Sequence, residues 1–144
     1  MNAQEMWQAY ISRENISADY TAWAFGAAPD ELAQLVLSGI KTATSSAYPL
    51  YERFDESLPK AGDFSVILNA RDDAVCIIQT TRVFVCAFSD VDDLHAFREG
   101  EGDRSLGYWR KVHEAFFRSA IMDAGLSFDM SMKVVCEEFK KVYP

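Results

Sequence analysis

Between Leu37 and Ser46 the chain reads LSGIKTATSS, which places Lys41 among four hydroxyl side chains, Thr42, Thr44, Ser45 and Ser46, just after a glycine. A lysine beside a hydroxyl is the simplest nucleophile arrangement that needs no histidine. Taken alone, Lys41 is a solvated lysine after a helix C-terminus, where it complements the helix dipole. Its neighbours point inward instead: Gly39 allows a turn with φ > 0, and Ile40 is expected to anchor that turn in the core. An inward lysine can act as a base or hold an anion. Three residues apart on a straight strand, Lys41 and Thr44 would face opposite sides, so they meet only if the chain bends between them. Thr42 and Thr44 are also ordinary strand formers.

The second constellation is REGEGDRS, Arg98 to Ser105, where Glu99, Glu101 and Asp103 alternate with Gly100 and Gly102. Asp103 and Ser105 suit the capping of a following helix. Capping does not require two glycines, whereas a close approach of backbone to a ligand does. Crowded carboxylates raise one another's pKa, which suits a general acid. An oxygen-rich cluster can alternatively hold a divalent cation, Mn or Mg. On the next helix Trp109 and Phe116 read as core, His113 as a satisfied helix-face histidine, and Arg110 as a side chain within reach of the pocket. Tyr48 and Tyr51 are placed either to stack on a base or to pack over the mouth of the fold. The candidates for chemistry are therefore Lys41, Thr44, Glu99 and Glu101, with the lean between the glutamates towards Glu101, flanked by glycine on both sides. Gly39, Ser45, Tyr48 and Arg110 are the candidates for substrate contact, and no residue is assigned as a metal ligand.

These side chains need a scaffold, and 144 residues with 49% apolar content suffice for one cored domain spanning 1–144. The spacing predicts helices over 3–11, from Pro29 to Gly39, over 90–97, and from near Ser105 to Gly125. β-branched and aromatic runs predict strands over 64–69, 74–88 and 130–143, the middle one long and bent. Tyr20, Trp23 and Phe25 read as an irregular aromatic stretch. The class is α+β, a small, curled, mainly antiparallel β-barrel decorated by helices. Cys76, Cys86 and Cys136 sit singly in apolar segments and read as core residues rather than a disulfide framework or zinc site. No apolar run reaches the roughly 20 residues that span a bilayer, and no secretory signal is visible, so a cytoplasmic protein is expected. A net charge of −8 argues against bulk duplex DNA binding, which relies on phosphate neutralisation. Any nucleic-acid role must be local or concern small nucleotides.

The Gly39-x-Lys41-x-x-Thr44 spacing resembles the G-x-K-x-x-T signature of the ASCH family, whose fold is a PUA-like β-barrel. Pro59 to Asp63 resembles that family's turn before a strand. The Glu-Gly-Glu-Gly-Asp run, followed by Trp109, His113 and Phe117, resembles a bacterial subgroup of about this size, as do the WAFG and KTAT segments. The resemblance covers nearly the whole chain. It implies nucleotide chemistry or RNA contact, because the fold is shared with RNA-modification and RNA-binding domains. Short members hydrolyse the amide of N4-acetylcytidine through lysine, threonine and glutamate, and a member closer in length is a metal-dependent ribonuclease. The lysine and threonine carry over to Lys41 and Thr44; the glutamate falls on Glu99 or Glu101. Implied partners are RNA or a small nucleoside, with a hydrolase as the leading expectation and a non-catalytic RNA-binding or regulatory module as the alternative.

Overall fold

Asn69 begins the turn around which the sheet is organised. Its side-chain oxygen accepts from the Arg71 and Asp73 N–H groups and closes the connection between Phe64–Leu68 (β3) and Ala74–Ala87 (β4), an antiparallel pair. The computed structural model describes residues 1–144. Lys133–Tyr143 (β5) pairs antiparallel with β4 along most of its length, and Ala43–Ala47 (β2) pairs antiparallel with β5. Residues 20–25, expected to be irregular, instead supply Thr21–Ala24 (β1), which runs parallel to β3 and satisfies its backbone groups there. The five-stranded sheet has the order β1-β3-β4-β5-β2 and is mixed.

The pairing of β4 with β5 shifts register between Thr80 and Arg82, within the polar QTTR stretch that interrupts an otherwise apolar strand. Such an irregularity sharpens the local bend and twist. The sheet therefore curls into a half-barrel that does not close, with β1 and β2 as its two edges.

Five helices cover it. In Ala3–Glu14 (α1), Asn2 and Glu5 form a reciprocal cap, and Met6, Trp7 and Tyr10 pack on Val66 and Ile77. Pro29–Leu37 (α2) begins on proline and is followed by Gly39 at φ 84°, the left-handed turn expected there. Tyr48–Arg53 (α3) is a short helix to which the sequence reading assigned no element, with Pro49 in its first turn. Asp93–Glu99 (α4) runs further than its acidic start suggests, so Arg98 and Glu99 are helical and the loop begins at Gly100. Leu106–Asp123 (α5) is capped by Ser105, whose oxygen accepts from the Tyr108 N–H. Its buried stripe is Trp109, His113, Phe117 and Ile121, one helical turn apart, whereas Phe116, expected in the core, is 43% exposed. No helix is long and apolar enough to cross a membrane.

The interior is divided. One apolar cluster lies under α5 and includes Phe88, Trp109, Phe117, Val134 and Cys136. Another lies under α2 and includes Phe25, Val36, Ile67, Ile78 and Phe139. The buried polar residues Lys41, His95, Glu99 and His113 lie at the seam between them, with the Lys41 ammonium 5.2 Å from the Phe25 ring centre and Trp109 in contact with Glu99.

Candidate functional site

Three elements clamp the segment that carries Lys41. The N–H groups of Ile40 and Lys41 both donate to Leu35 O at the end of α2. One residue on, Thr42 N–H donates to Arg98 O at 2.7 Å, and Phe139 N–H donates to Thr42 O. Ile40 does not anchor the turn as expected, since it is 39% exposed. The clamp is made of backbone hydrogen bonds, together with Gly100, whose φ of 74° brings it so near Ile40 that a Cβ there would lie 2.7 Å from Ile40 O. The Lys41 side chain is thereby sent inward, and the residue is 2% exposed.

Its ammonium has three acceptors, Glu99 O and Glu99 Oε1 at 3.3 Å and Glu101 Oε2 at 2.8 Å. An ammonium has three protons to donate, so these bonds use all of them. None goes to Thr44.

Glu99 is 1% exposed and collects donors on both oxygens. Oε2 accepts from Trp109 Nε1 at 2.6 Å, from His95 Nε2 at 2.9 Å and from the Ser45 hydroxyl. Oε1 faces Lys41 and, at 3.4 Å, His113 Nε2. An ionised carboxylate only accepts, so His95 carries a proton on Nε2, which leaves its buried Nδ1 without a partner. His113 donates from Nδ1 to Trp109 O at 2.9 Å and stacks on the Trp109 ring at 4.3 Å. Burial alone pushes the Glu99 carboxyl up, but the Lys41 charge and the two histidine contacts outweigh it and hold the group well below the usual carboxylate range. Burial pushes His113 down, and the contact with Glu99 more than reverses this, so its pKa is raised.

These opposite shifts predict a pH profile for stability. Glu99 contributes stability that is complete above its ordinary value of 4.5 and is lost as pH falls through its lower folded value. His113 contributes stability that is complete below its ordinary value of 6.5 and is lost as pH rises through its higher folded value. The melting temperature is expected to be highest between these limits, and Glu99→Gln is expected to flatten both flanks. A variant profile parallel to wild type would contradict the assignment.

Glu101 is held differently. Its side chain is 17% exposed and takes a single bond, from Lys41. Glu99, Glu101 and His113 each offer an atom within 4.8 Å of the others, the spacing of a cation site. The Lys41 ammonium already bridges the two carboxylates, however, and sets its own positive charge where the cation would sit. The residues do not fit a resident divalent cation.

Around this cluster lies a small cavity of about 80 Å³, walled by Lys41, Thr44, Ser45, Glu99, Glu101 and His113. It adjoins a wide cleft of about 1000 Å³ between the sheet edges, and Phe25, Gly26, Thr44, Ser45 and Phe116 border both. Among the hydroxyls of the motif, Thr42 is directed at Arg98 O, Ser45 at Glu99 and His95, and Ser46 at Tyr51. Thr44 alone stands uncommitted, where the two spaces meet.

The structure thus brings together Lys41, Thr44, Ser45, Glu99 and Glu101. Gly39 lines neither space and serves the turn. Tyr48 lies outside both, beside Lys133, and it is Tyr51 that lines the cleft. Arg110 is spent on Ser89 O and Val91 O, away from the pocket, because it sits one position round the helix from Trp109. Sequence reasoning missed His95 and Trp109 as donors to Glu99; the four-residue spacings His95–Glu99 and Trp109–His113 were the available signal.

A family profile described as ASCH domain matches residues 21–143. Among solved structures, an ASCH domain from Lactobacillus crispatus JV V101 is 32% identical, with a TM-score of 0.91 over 98% of this chain and 94% of that one. A protein from Enterococcus faecalis V583 is 31% identical, with a TM-score of 0.89 over 99% of this chain and 88% of that one. A hypothetical protein that is 15% identical, with a TM-score of 0.58, shares the fold alone. No curated protein matches the chain. With the profile and both closer structures spanning nearly all of it, the chain belongs to the ASCH domain family and has its PUA-like fold.

Proposed function

We propose that this ASCH domain takes an uncharged acylated nucleoside, of the N4-acylcytidine type, into its cleft and hydrolyses the acyl amide. The observation that carries the reading is the small cavity of about 80 Å³ opening off the wide cleft. Being more than tenfold smaller than the cleft, it suits a small acyl group, and the cleft suits the nucleoside. Lys41, Glu101 and the uncommitted Thr44 form its wall.

In this reading Thr44 Oγ1 attacks the carbonyl carbon, and the Lys41 ammonium turns one N–H from Glu99 O, a long contact at 3.3 Å, to the oxygen that becomes negative. Glu101 accepts the Thr44 proton and passes it to the departing nitrogen, so the free amine leaves and an acyl ester remains on Thr44. Water, losing its proton to Glu101, then adds to the ester; the acid departs, and the proton returns to Thr44. Glu99 stays ionised throughout and holds Lys41 in place. It is a poor proton carrier, because its oxygens are already filled with donors.

The cleft's charge supports a nucleoside over an RNA strand. Asp19, Glu56, Asp63 and Glu137 line it against one cation, Lys60, a surface that repels phosphate. The test incubates the protein with N4-acetylcytidine and, separately, with short RNAs, each at low and high salt. Release of acetate and cytidine at rates nearly independent of salt is expected. No deacylation, with RNA bound in a manner that weakens steeply with salt, would overturn the reading in favour of an RNA-binding module.

A further inference from the structure

We infer that Glu137, on the strand next to β2, is a second recognition point in the cleft, and that it accepts hydrogen bonds from the ribose hydroxyls of the bound nucleoside. The inference rests on the reading of the cleft as a nucleoside site and adds which part of the ligand is read, and by what.

Glu137 lies opposite Thr44 in the β2–β5 pairing and opposite Val83 in the β4–β5 pairing. Its side chain is half-buried in the cleft wall, where Thr80 Oγ1 donates to Oε2 at 3.0 Å. The adjacent Glu138, in contrast, is matched by Arg82 at 3.0 Å and Arg98 at 3.1 Å. Glu137 has no such cation. Burial, opposed by the Thr80 bond and aided by nearby Asp63, raises its pKa. A half-buried carboxyl with one protein donor has oxygens left to accept, and hydroxyl or N–H donors from a ligand would fill them.

The partner chemistry is narrow. A phosphate brings negative charge and acceptors, which Glu137, Asp63 and Glu56 in the same cleft disfavour. A neutral group with adjacent donors fits, because the two oxygens of a carboxyl match a vicinal diol. Position selects the sugar. Facing residues on paired strands stand about 5 Å apart at Cβ, and Thr44, opposite Glu137, borders the small cavity. A nucleoside with its acyl amide at Thr44 therefore extends its far end along the floor towards Glu137. Base N–H groups share the donor chemistry and are the other source that could supply it.

The experiment measures, by calorimetry, the binding of N4-acetylcytidine, its 2′-deoxy analogue and the free base N4-acetylcytosine to wild type, Glu137→Gln and Thr80→Val, with KM and kcat alongside. Wild type is expected to bind the ribonucleoside about tenfold more tightly than the deoxy analogue, the value of one hydrogen bond to a charged acceptor. Glu137→Gln, which keeps one acceptor oxygen without the charge, should weaken that preference and express its effect in KM, and Thr80→Val should reduce the preference. Melting temperatures show that each variant is folded. A ribose preference unchanged in both variants overturns the inference while leaving hydrolysis standing. Equal losses on the free base overturn the ribose assignment and give Glu137 to the base. Ribose-selective binding that depends on Glu137 without any turnover supports the inference and sinks the hydrolytic reading. No binding of any of the three ligands overturns both.

Discussion

Glu101→Gln is expected to lower turnover of an acylated nucleoside by about 100- to 10,000-fold, the usual contribution of a positioned proton carrier. Glutamine can still accept the Lys41 hydrogen bond but cannot carry a proton. The melting temperature should hardly move. Glu101 is partly exposed, Lys41 keeps both of its bonds to Glu99 and glutamine still accepts the third, so no buried charge is left without a partner. Glu99→Gln should behave in the opposite sense, with its main cost in stability, because it places an amide N–H₂ where an acceptor meets several donors. Rates and melting curves on the same preparations separate the two glutamates. A Glu101→Gln protein with wild-type rates would remove Glu101 from the chemistry.

Lys41→Met should destabilise the domain most. The ammonium is buried beside Glu99, and removing one partner of a buried pair costs about 3–5 kcal/mol through the charge left behind. For a domain of this size that corresponds to roughly 10 °C or more in melting temperature. His95, His113 and Trp109 still donate to Glu99 and hold the loss towards the lower end of that range. Lys41→Arg is not expected to restore the wild type, since a planar guanidinium cannot occupy the place of a compact ammonium between three acceptors. The double variant Lys41→Met with Glu99→Gln should recover part of the loss, because it leaves no uncompensated charge at Glu99, the more buried of the two carboxylates. Purely additive losses would show that the two residues do not act as a pair.

β3, β4, β5 and the long helices were legible because their signals are long. Phe64–Leu68 and Ala74–Ala87 carry β-branched and aromatic residues bounded by turn residues, and α2 carries a proline at its start and a glycine just beyond its end. β1 was not legible. It is four residues long and mostly exposed, with Trp23 as its one large apolar member, so no alternation shows and only pairing with β3 defines it. α3 was hidden in the same way by its six-residue length. The stripe on α5 was read one residue out of frame at its end, because Phe116 and Phe117 are adjacent and only packing chooses between them.

In the site, the motif spacing pointed to Lys41 and Thr44, and the glycines pointed to Glu101. The contrast between the two glutamates was beyond local reading: it depends on Trp109 and His113 arriving from a separate helix and on Ser45 from a strand. Arg110 and Tyr48 have the chemistry of binding residues, but a helix turn and a strand end direct them elsewhere.

The central claim, that the small cavity receives the acyl group while the cleft holds the nucleoside, is tested most directly by kcat/KM for wild type on an N4-acylcytidine series of increasing acyl size. With about 80 Å³ available, acetyl should be hydrolysed, propionyl more slowly, and benzoyl not measurably. Benzoyl turned over as fast as acetyl, or no member of the series turned over at all, would contradict it.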